Sequence, residues 1–424
     1  MKDKILYIIV FSSILDKTNR EKESLVIPRQ RYLSRIIPFI DKDVIKVLVG
    51  MRRSGKSTLL EEVQTVLLSR GVPPENIIAL NFESMRWGQA AASPEAFYQE
   101  VMALANHLEG RVYLFFDEIQ TVEHWERPVN SFRVDLDCDI YLTGSNSTLL
   151  SSELATLIAG RYVSFEVQPF SLRELVDATE LNPAEAFEAY RVLGGLPFLS
   201  HVSYDRDTSV SYLRDVFNSI VLKDVVQHRN FRDADQLERI LAYFLSEIGT
   251  TYSVDNIVNM LKQERRRLSN DTVYNYLQAA EEAFLISRVR RFDIKGKALL
   301  RGSEKVYVTD IGLREALLGT NASRVDLVLE NLVFNELRRR GYTVHVGKLG
   351  TREIDFVAER DGGRLYIQVA YLLELESTRE REFSAFDGIA DGYPRLVVSA
   401  DTADWSRNGC RHWNIIDFLL ADAW

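Results

Sequence analysis

Residues Val44-Ile45-Lys46-Val47-Leu48-Val49 run without a break into Gly50-Met51-Arg52-Arg53-Ser54-Gly55-Lys56-Ser57-Thr58, and residues at helical spacing follow from Leu59 through Arg70. This is GxxxxGK[ST] in the strand-loop-helix setting that gives the pattern its meaning. Glycines let successive backbone N–H groups curl around phosphate oxygens, and the N-terminus of the following helix adds the positive end of its dipole. On that reading Gly50, Arg52, Arg53, Ser54, Gly55, Lys56, Ser57 and Thr58 form a nucleotide cradle, with Lys56 reaching the β and γ phosphates and Ser57 offering its hydroxyl to Mg²⁺. The expected ligands are ATP and Mg²⁺. The plain alternative is a glycine turn ahead of a helix.

A second apolar run, Val112 to Phe116, ends in Asp117-Glu118. A strand of this kind is buried on both faces, and its C-terminal end lies where open α/β sheets bind ligands. Asp117 is then the metal-side carboxylate and Glu118 the general base that polarises water, although Asp also caps helices after strands. A third strand, Asp139 to Thr143, ends in Gly144-Ser145-Asn146-Ser147. Thr143, Ser145 or Asn146 could sense the γ phosphate there, Asn146 being the best placed, or the segment is a turn capping a helix over 149–157. Arg161, just before a strand over 163–167, reads either as an arginine finger, within the chain or across a subunit boundary, or as a surface ion-pair partner.

The 424 residues are 46% hydrophobic and 27% charged, which excludes a disordered or collagen-like chain. A formal charge of −9 removes any global field for coating nucleic acid, so such a surface must be a local patch. Cys138 and Cys410 form no CxxC pair, and the six histidines show no metal-ligand spacing. Apolar Ile5 to Leu15 follows Lys2 and Lys4 but lacks an A-x-A site and is too short to span a bilayer, so residues 1–27 are expected to be an N-terminal extension of a cytoplasmic protein without a membrane partner.

The motifs GMRRSGKST, LFFDEIQ, YLTGSNS, ELATLIAGRY and PFSLRE, followed by Gly194-Gly195-Leu196-Pro197, resemble the AAA-type ATPases of bacteria and archaea that carry a C-terminal domain of unknown function related to PD-(D/E)XK nucleases. The resemblance covers nearly the whole chain after the extension. It implies an α/β P-loop domain of the additional-strand class over 28–200, and ATP binding with hydrolysis.

From Asp235 the pattern is helical: Leu237 to Ile248, a helix opened by Ser253, and a third after Ser269. A strand from Leu285 to Phe292, a turn at Ile294 to Lys297 and a returning strand at Lys305 to Val308 complete a winged-helix pattern, placed with a helical linker in 201–313. Between Lys262 and Arg301 ten basic residues face five acidic ones. In that architecture Tyr274, Asn275 and Gln278 lie on the recognition helix and Lys295 and Lys297 at the wing tip, all possible DNA contacts. The same fold also serves as a spacer or a protein-binding module. Residues 314–424 read as helix, three strands, helix, strand, similar in order to the PD-(D/E)XK fold. The resemblance places Glu330, Asp355 and Gln368 at its metal-site positions, but Ala370 stands where that motif has its lysine. A degenerate nuclease site is expected, unless Lys348 or Arg352 supplies the missing cation. Three functions follow as expectations: an ATP-driven switch, an ATP-dependent nuclease or translocase on DNA, and a protein-interaction regulator that never touches nucleic acid.

Overall fold

The computed structural model describes residues 28–150, 160–227, 231, 233–263, 268–300, 302 and 304–424. The expected extension 1–27, most of the expected helix over 149–157 and the run Arg265-Arg266-Arg267 lie outside the described residues. Among the described residues no helix is long and apolar enough to cross a membrane.

Five strands, β1 (Ile45–Val49), β2 (Ile77–Asn81), β3 (Val112–Asp117), β4 (Cys138–Gly144) and β5 (Tyr162–Glu166), form an all-parallel sheet in the order β2-β3-β4-β1-β5. β1 and β3 are buried along their whole length, as apolar runs must be when helices cover both faces. Alternation sends Leu48, Phe115 and Tyr141 toward α1 (Gln30–Ile36) and α2 (Lys56–Ser69). It sends Val47, Val49, Phe116 and Leu142 toward α3 (Pro94–Ala105) and α4 (Glu126–Asp135). The exception in β1 is Lys46, whose buried ammonium pairs with the buried carboxylate of Asp139 in β4. Because β4 separates β1 from β3, the phosphate loop and the Asp117-Glu118 pair leave the same sheet edge with Thr143 between them.

The chain then enters α5 (Leu172–Ala178), α6 (Pro183–Leu193) and α7 (Arg206–Ser219), which continues as wider helical turns over Ile220–Gln227. Ser171 with Glu174 and Asn182 with Glu185 are reciprocal N-caps of α5 and α6. The three expected helices are present as α8 (Ala234–Ser246), α9 (Val254–Gln263) and α10 (Asn270–Glu282). After them β6 (Ile286–Val289) ends early. The expected strand through Phe292 is broken at Arg290, and β7 (Arg291–Asp293) with β8 (Ala298–Leu299) leaves as a separate hairpin. Only β9 (Lys305–Val308) returns to pair with β6. Burial explains the break, because Phe292 and Ile294 pack into the core of the C-terminal sheet rather than lining an exposed wing.

That sheet comes after α11 (Ile311–Leu318) and α12 (Val325–Arg339). It contains β10 (Thr343–Leu349), β11 (Arg352–Arg360) and β12 (Gly363–Val369), then, after α13 (Glu376–Ser384), β13 (Arg395–Ser399) and β14 (Cys410–Asn414), with α14 (Ile415–Leu420) last. Its order is β14-β13-β12-β11-β10-β7-β8, antiparallel through β10-β11-β12 and parallel at β12-β13-β14 and β10-β7. Phe334 and Leu337 of α12 pack with Phe356 and Ile367 on one face, and Phe383 of α13 packs with Val357 and Tyr366 on the other. One apolar cluster takes in Met51 of the phosphate loop and then runs from Leu172 to Leu419, so α5 and α6 pack with the C-terminal elements and that core touches the loop itself.

Arg29 joins the two parts. Its backbone N–H donates to Glu62 of α2 (3.0 Å), its guanidinium to both carboxylate oxygens of Glu174 (2.8 and 3.1 Å) and to the Ser54 carbonyl (3.0 Å), and it is almost wholly buried. Removing one member of a buried ion pair strands the other charge, at about 3–5 kcal/mol. Arg29→Met is expected to lower stability by about that amount in guanidinium unfolding; a loss too small to measure would show that the pair carries no such weight.

Candidate nucleotide-binding site

The loop after β1 reverses tightly. Gly50 sits at φ 150° with its Cα so close to the Val167 carbonyl that a Cβ would lie 2.2 Å from the oxygen. Gly55, at φ 94°, occupies the N-cap of α2, and no side chain caps that helix. An uncapped helix N-terminus opening out of a glycine loop is suited to an anion. Ser54 adds a buried hydroxyl with no hydrogen-bond partner. Both features fit a phosphate chain in the cradle.

Lys56 is buried and spends its three donors on the carbonyls of Gly50 (3.0 Å) and Met51 (3.1 Å) and on the Ser145 hydroxyl (2.9 Å). Burial pulls its ammonium below the ordinary lysine range, opposed by Glu118, Asp117 and Asp224. Asp117 closes β3, where Thr143 donates to its carboxylate and Asn81 adds a second bond at 2.9 Å, and the neighbouring Ser57 helps to hold it charged. Burial still pushes its carboxyl above the usual range. Ser57 and Asp117 therefore act on one another at the mouth of the loop. Among the described residues no group of three or more His, Cys, Asp or Glu could hold a metal, so Mg²⁺ at this point would complete its shell from nucleotide oxygens and water.

Glu118 is held in an unusual way. Its φ of 53° lies in the left-handed region that non-glycine residues seldom adopt, and its N–H donates to Thr143 Oγ1 (2.9 Å). Its carboxylate accepts from the Ser145 hydroxyl (2.8 Å) and from Gln120, and lies 3.8 Å from Lys56 Nζ. Of the candidates on the third strand, Ser145 is the group that touches both Lys56 and Glu118, and Thr143 the group that touches both Asp117 and Glu118. Asn146, the expected sensor, is buried directly after them.

Arg52 turns outward from the loop. It makes a two-pronged pair with Asp224 (3.1 and 3.0 Å) and reaches Glu83 (3.1 Å), while Arg53 (φ 67°) and Thr58 are exposed. Arg161 requires a correction. Its carbonyl accepts from the N–H of Ile45, the first residue of β1, so it stands at the opposite edge of the parallel sheet from the phosphate loop. Strand direction rules it out as a finger acting on its own chain's site.

The C-terminal candidates do meet. Gln368 accepts from the Asp355 N–H (3.1 Å), and Asp355 accepts from the Val369 N–H (2.8 Å). Burial pushes the carboxyls of Asp355 and Glu330 upward, with the charge of Glu330 adding to the rise at Asp355 and that of Glu353 to the rise at Glu330. Ala370 brings no cation, and neither Lys348 nor Arg352 replaces it: Lys348 is exposed and Arg352 donates to the carbonyls of Ser384 and Asp387. The cation that arrives is Lys305 of β9, 2.9 Å from Glu330 and 2.8 Å from Glu353. On α10, Tyr274, Asn275 and Gln278 share the exposed face, Gln278 donating to Glu282, and Lys295 and Lys297 are exposed at the β7-β8 turn. Arg288, Arg290 and Arg291 pair with Glu281, Glu304 and Glu353, the last two lying outside the basic stretch.

Strand order and phosphate loop together define an AAA-type P-loop ATPase domain. Residues 42–176 match the family model described as an AAA domain, and residues 184–324 match a domain of unknown function (DUF8612). The chain belongs to one family with an uncharacterized protein of Haemophilus influenzae, 36% identical over 403 residues that cover 93% of this chain and 99% of that protein. An uncharacterized protein of Methanocaldococcus jannaschii is 29% identical over 390 residues, 88% of this chain and 84% of its own. Among solved structures, a Walker-type ATPase of Pyrococcus abyssi shares the fold at a TM-score of 0.51 and 14% identity, over 69% of this chain and 96% of that one.

Sequence reasoning did not find Arg29, Asn81, Gln120 or Asp224. Asn81 alone had a local signal, as the polar end of a strand beside β3. If Ser145 ties Lys56 to Glu118, Ser145→Ala lowers turnover on the order of 10- to 100-fold through a misaligned base while nucleotide affinity changes little. Single-turnover rates set against equilibrium binding check this, and an unchanged rate constant would count against the linkage.

Proposed function

We propose that this chain is a Mg²⁺-dependent ATPase working as a nucleotide-driven switch, with the five-stranded domain as motor and the helical and seven-stranded parts as output. The observation that carries the reading is the set of contacts Lys56–Ser145–Glu118 and Asp117–Thr143–Glu118 around one phosphate loop. Ser57 and Asp117 would hold Mg²⁺, which neutralises charge on the phosphates. Lys56 and the N–H groups at the start of α2 bind the phosphate oxygens, and Glu118 takes the proton of the attacking water. The output begins close by. Pro197 stands where a side chain on Gly55 would point, 3.6 Å from a Cβ placed there, and Gly195 donates to Asp310, which also accepts from the Gly312 N–H at the start of α11. A change at the loop is thus felt at a buried carboxyl that caps an output helix.

Lys56→Ala is expected to abolish binding of ATP, and Glu118→Gln to keep binding while cutting hydrolysis by about 10²-fold or more. Phosphate release and a fluorescent nucleotide titration measure the two separately. Wild-type protein that binds no ATP at millimolar nucleotide with Mg²⁺ would refute the proposal.

One observation favours a second reading, nucleic-acid cleavage by the C-terminal sheet: Lys305 supplies beside Glu330 an ammonium that Ala370 lacks. Under that reading Asp355→Ala loses a metal-dependent cleavage of DNA or RNA shown by the wild type. If the wild type leaves both intact in Mg²⁺ and Mn²⁺, Lys305 serves only to neutralise buried carboxylates.

A further inference from the structure

A carboxylate from the second core reaches into the phosphate loop. Asp224 lies on the helical turns Ile220–Gln227, whose Ile220, Val221 and Val225 are buried in the apolar cluster that runs on to Leu419. Its two oxygens grip Arg52 at 3.1 and 3.0 Å, and its side chain is only 10% exposed. Lys56 and Glu118 are among the charges that act on it. Burial drives its carboxyl above the usual range, with Arg52 opposing. Arg52 has one other acidic partner, Glu83, but that side chain is 56% exposed and screened by water.

Two opposite forces meet at this pair when a polyphosphate approaches. The guanidinium of Arg52 is attracted and the half-enclosed carboxylate of Asp224 is repelled, and repulsion between like charges is strong where water is excluded. Resting on the ATPase reading, we propose that Asp224 is a built-in brake on the nucleotide site: its pair with Arg52 opposes phosphate binding, and nucleotide loosens Ile220–Gln227 from the loop. Those turns continue α7 and lead toward α8, so the pair turns occupancy of the site into release of a segment anchored in the other core. Coupling of this kind is reciprocal: whatever strengthens the Arg52–Asp224 pair weakens nucleotide binding by the same factor.

The test is Asp224→Asn, which keeps the shape of the side chain and removes its charge. Full-length wild type, Asp224→Asn and Glu83→Gln are titrated with a fluorescent ADP analogue in Mg²⁺, and hydrogen exchange is followed over 220–227 with and without ADP. Expected are affinity on the order of tenfold tighter in Asp224→Asn, a change under about twofold in Glu83→Gln, and faster exchange of 220–227 in the wild type when ADP is bound. In Asp224→Asn exchange is already fast and ADP adds little. Circular dichroism melting verifies folding of each variant, and the exchange experiment on the wild type stands even if a variant does not fold. Affinity that is unchanged or weaker in folded Asp224→Asn, or exchange that slows with ADP in the wild type, overturns the brake and leaves the ATPase reading intact. Absence of nucleotide binding in both wild type and Asp224→Asn removes the ATPase reading and the brake with it.

Discussion

A guanidinium shut away from water must find partners for its charge and its five N–H groups, and Arg29 finds them in pieces of chain far apart in sequence. Ser54 is in the phosphate loop, Glu174 caps α5, and Pro169 lies at the exit of β5. None of these groups can settle unless the others are in place. Arg339 of α12 then approaches the same turn from the other end of the chain, donating to Pro169 (3.3 Å) and Phe170 (3.5 Å) while paired with Glu336. Glu336 also accepts from Arg31 of α1. The phosphate loop and α12 are thus held by one buried network of charges, in which movement of either end leaves a charge without its partner.

The same logic governs the charge that looked available to nucleic acid. A stretch with ten basic and five acidic residues reads as a patch when counted along the chain. In the fold, acids from outside that stretch come to it: Glu304 to Arg290, Glu353 to Arg291, with Glu281 meeting Arg288 from within. Local charge excess is a property of sequence, whereas a field capable of steering a ligand is a property of surface. Here folding brings Glu304 and Glu353 from outside the stretch to two of its arginines, Arg290 remaining exposed.

What was legible in the sequence is the part that short-range chemistry fixes. The β1-loop-α2 unit, the Asp117-Glu118 end of β3 and the three helices opened by Asp233, Ser253 and Ser269 each announce themselves within a dozen residues by pattern and cap. Arg29–Glu174, Lys46–Asp139 and Arg52–Asp224 join residues 145, 93 and 172 positions apart, and nothing near either member marks the other. Only the reading of Arg161 as a finger on its own chain's site fails, and for a different reason: in a parallel sheet the start and end of adjacent strands lie at opposite edges. The expected wing differs because Phe292 was read as the end of one strand and Ile294 as part of a turn, when both are buried against a sheet formed mostly later in the chain.

Lys56 shows how binding and chemistry are joined at the smallest scale. An ammonium has three donors, and in this arrangement two serve the loop's own carbonyls and the third serves Ser145. A phosphate oxygen that takes Lys56 must therefore displace one of these bonds. If the bond to Ser145 is the one exchanged, the Ser145 hydroxyl keeps only its donation to Glu118, and the Glu118 carboxylate, 3.8 Å from the ammonium, sees that positive charge drawn toward the phosphate. Arrival of a phosphate would thus be passed to Glu118 through Ser145, while the left-handed backbone at Glu118 and the hydroxyl of Thr143 hold its position.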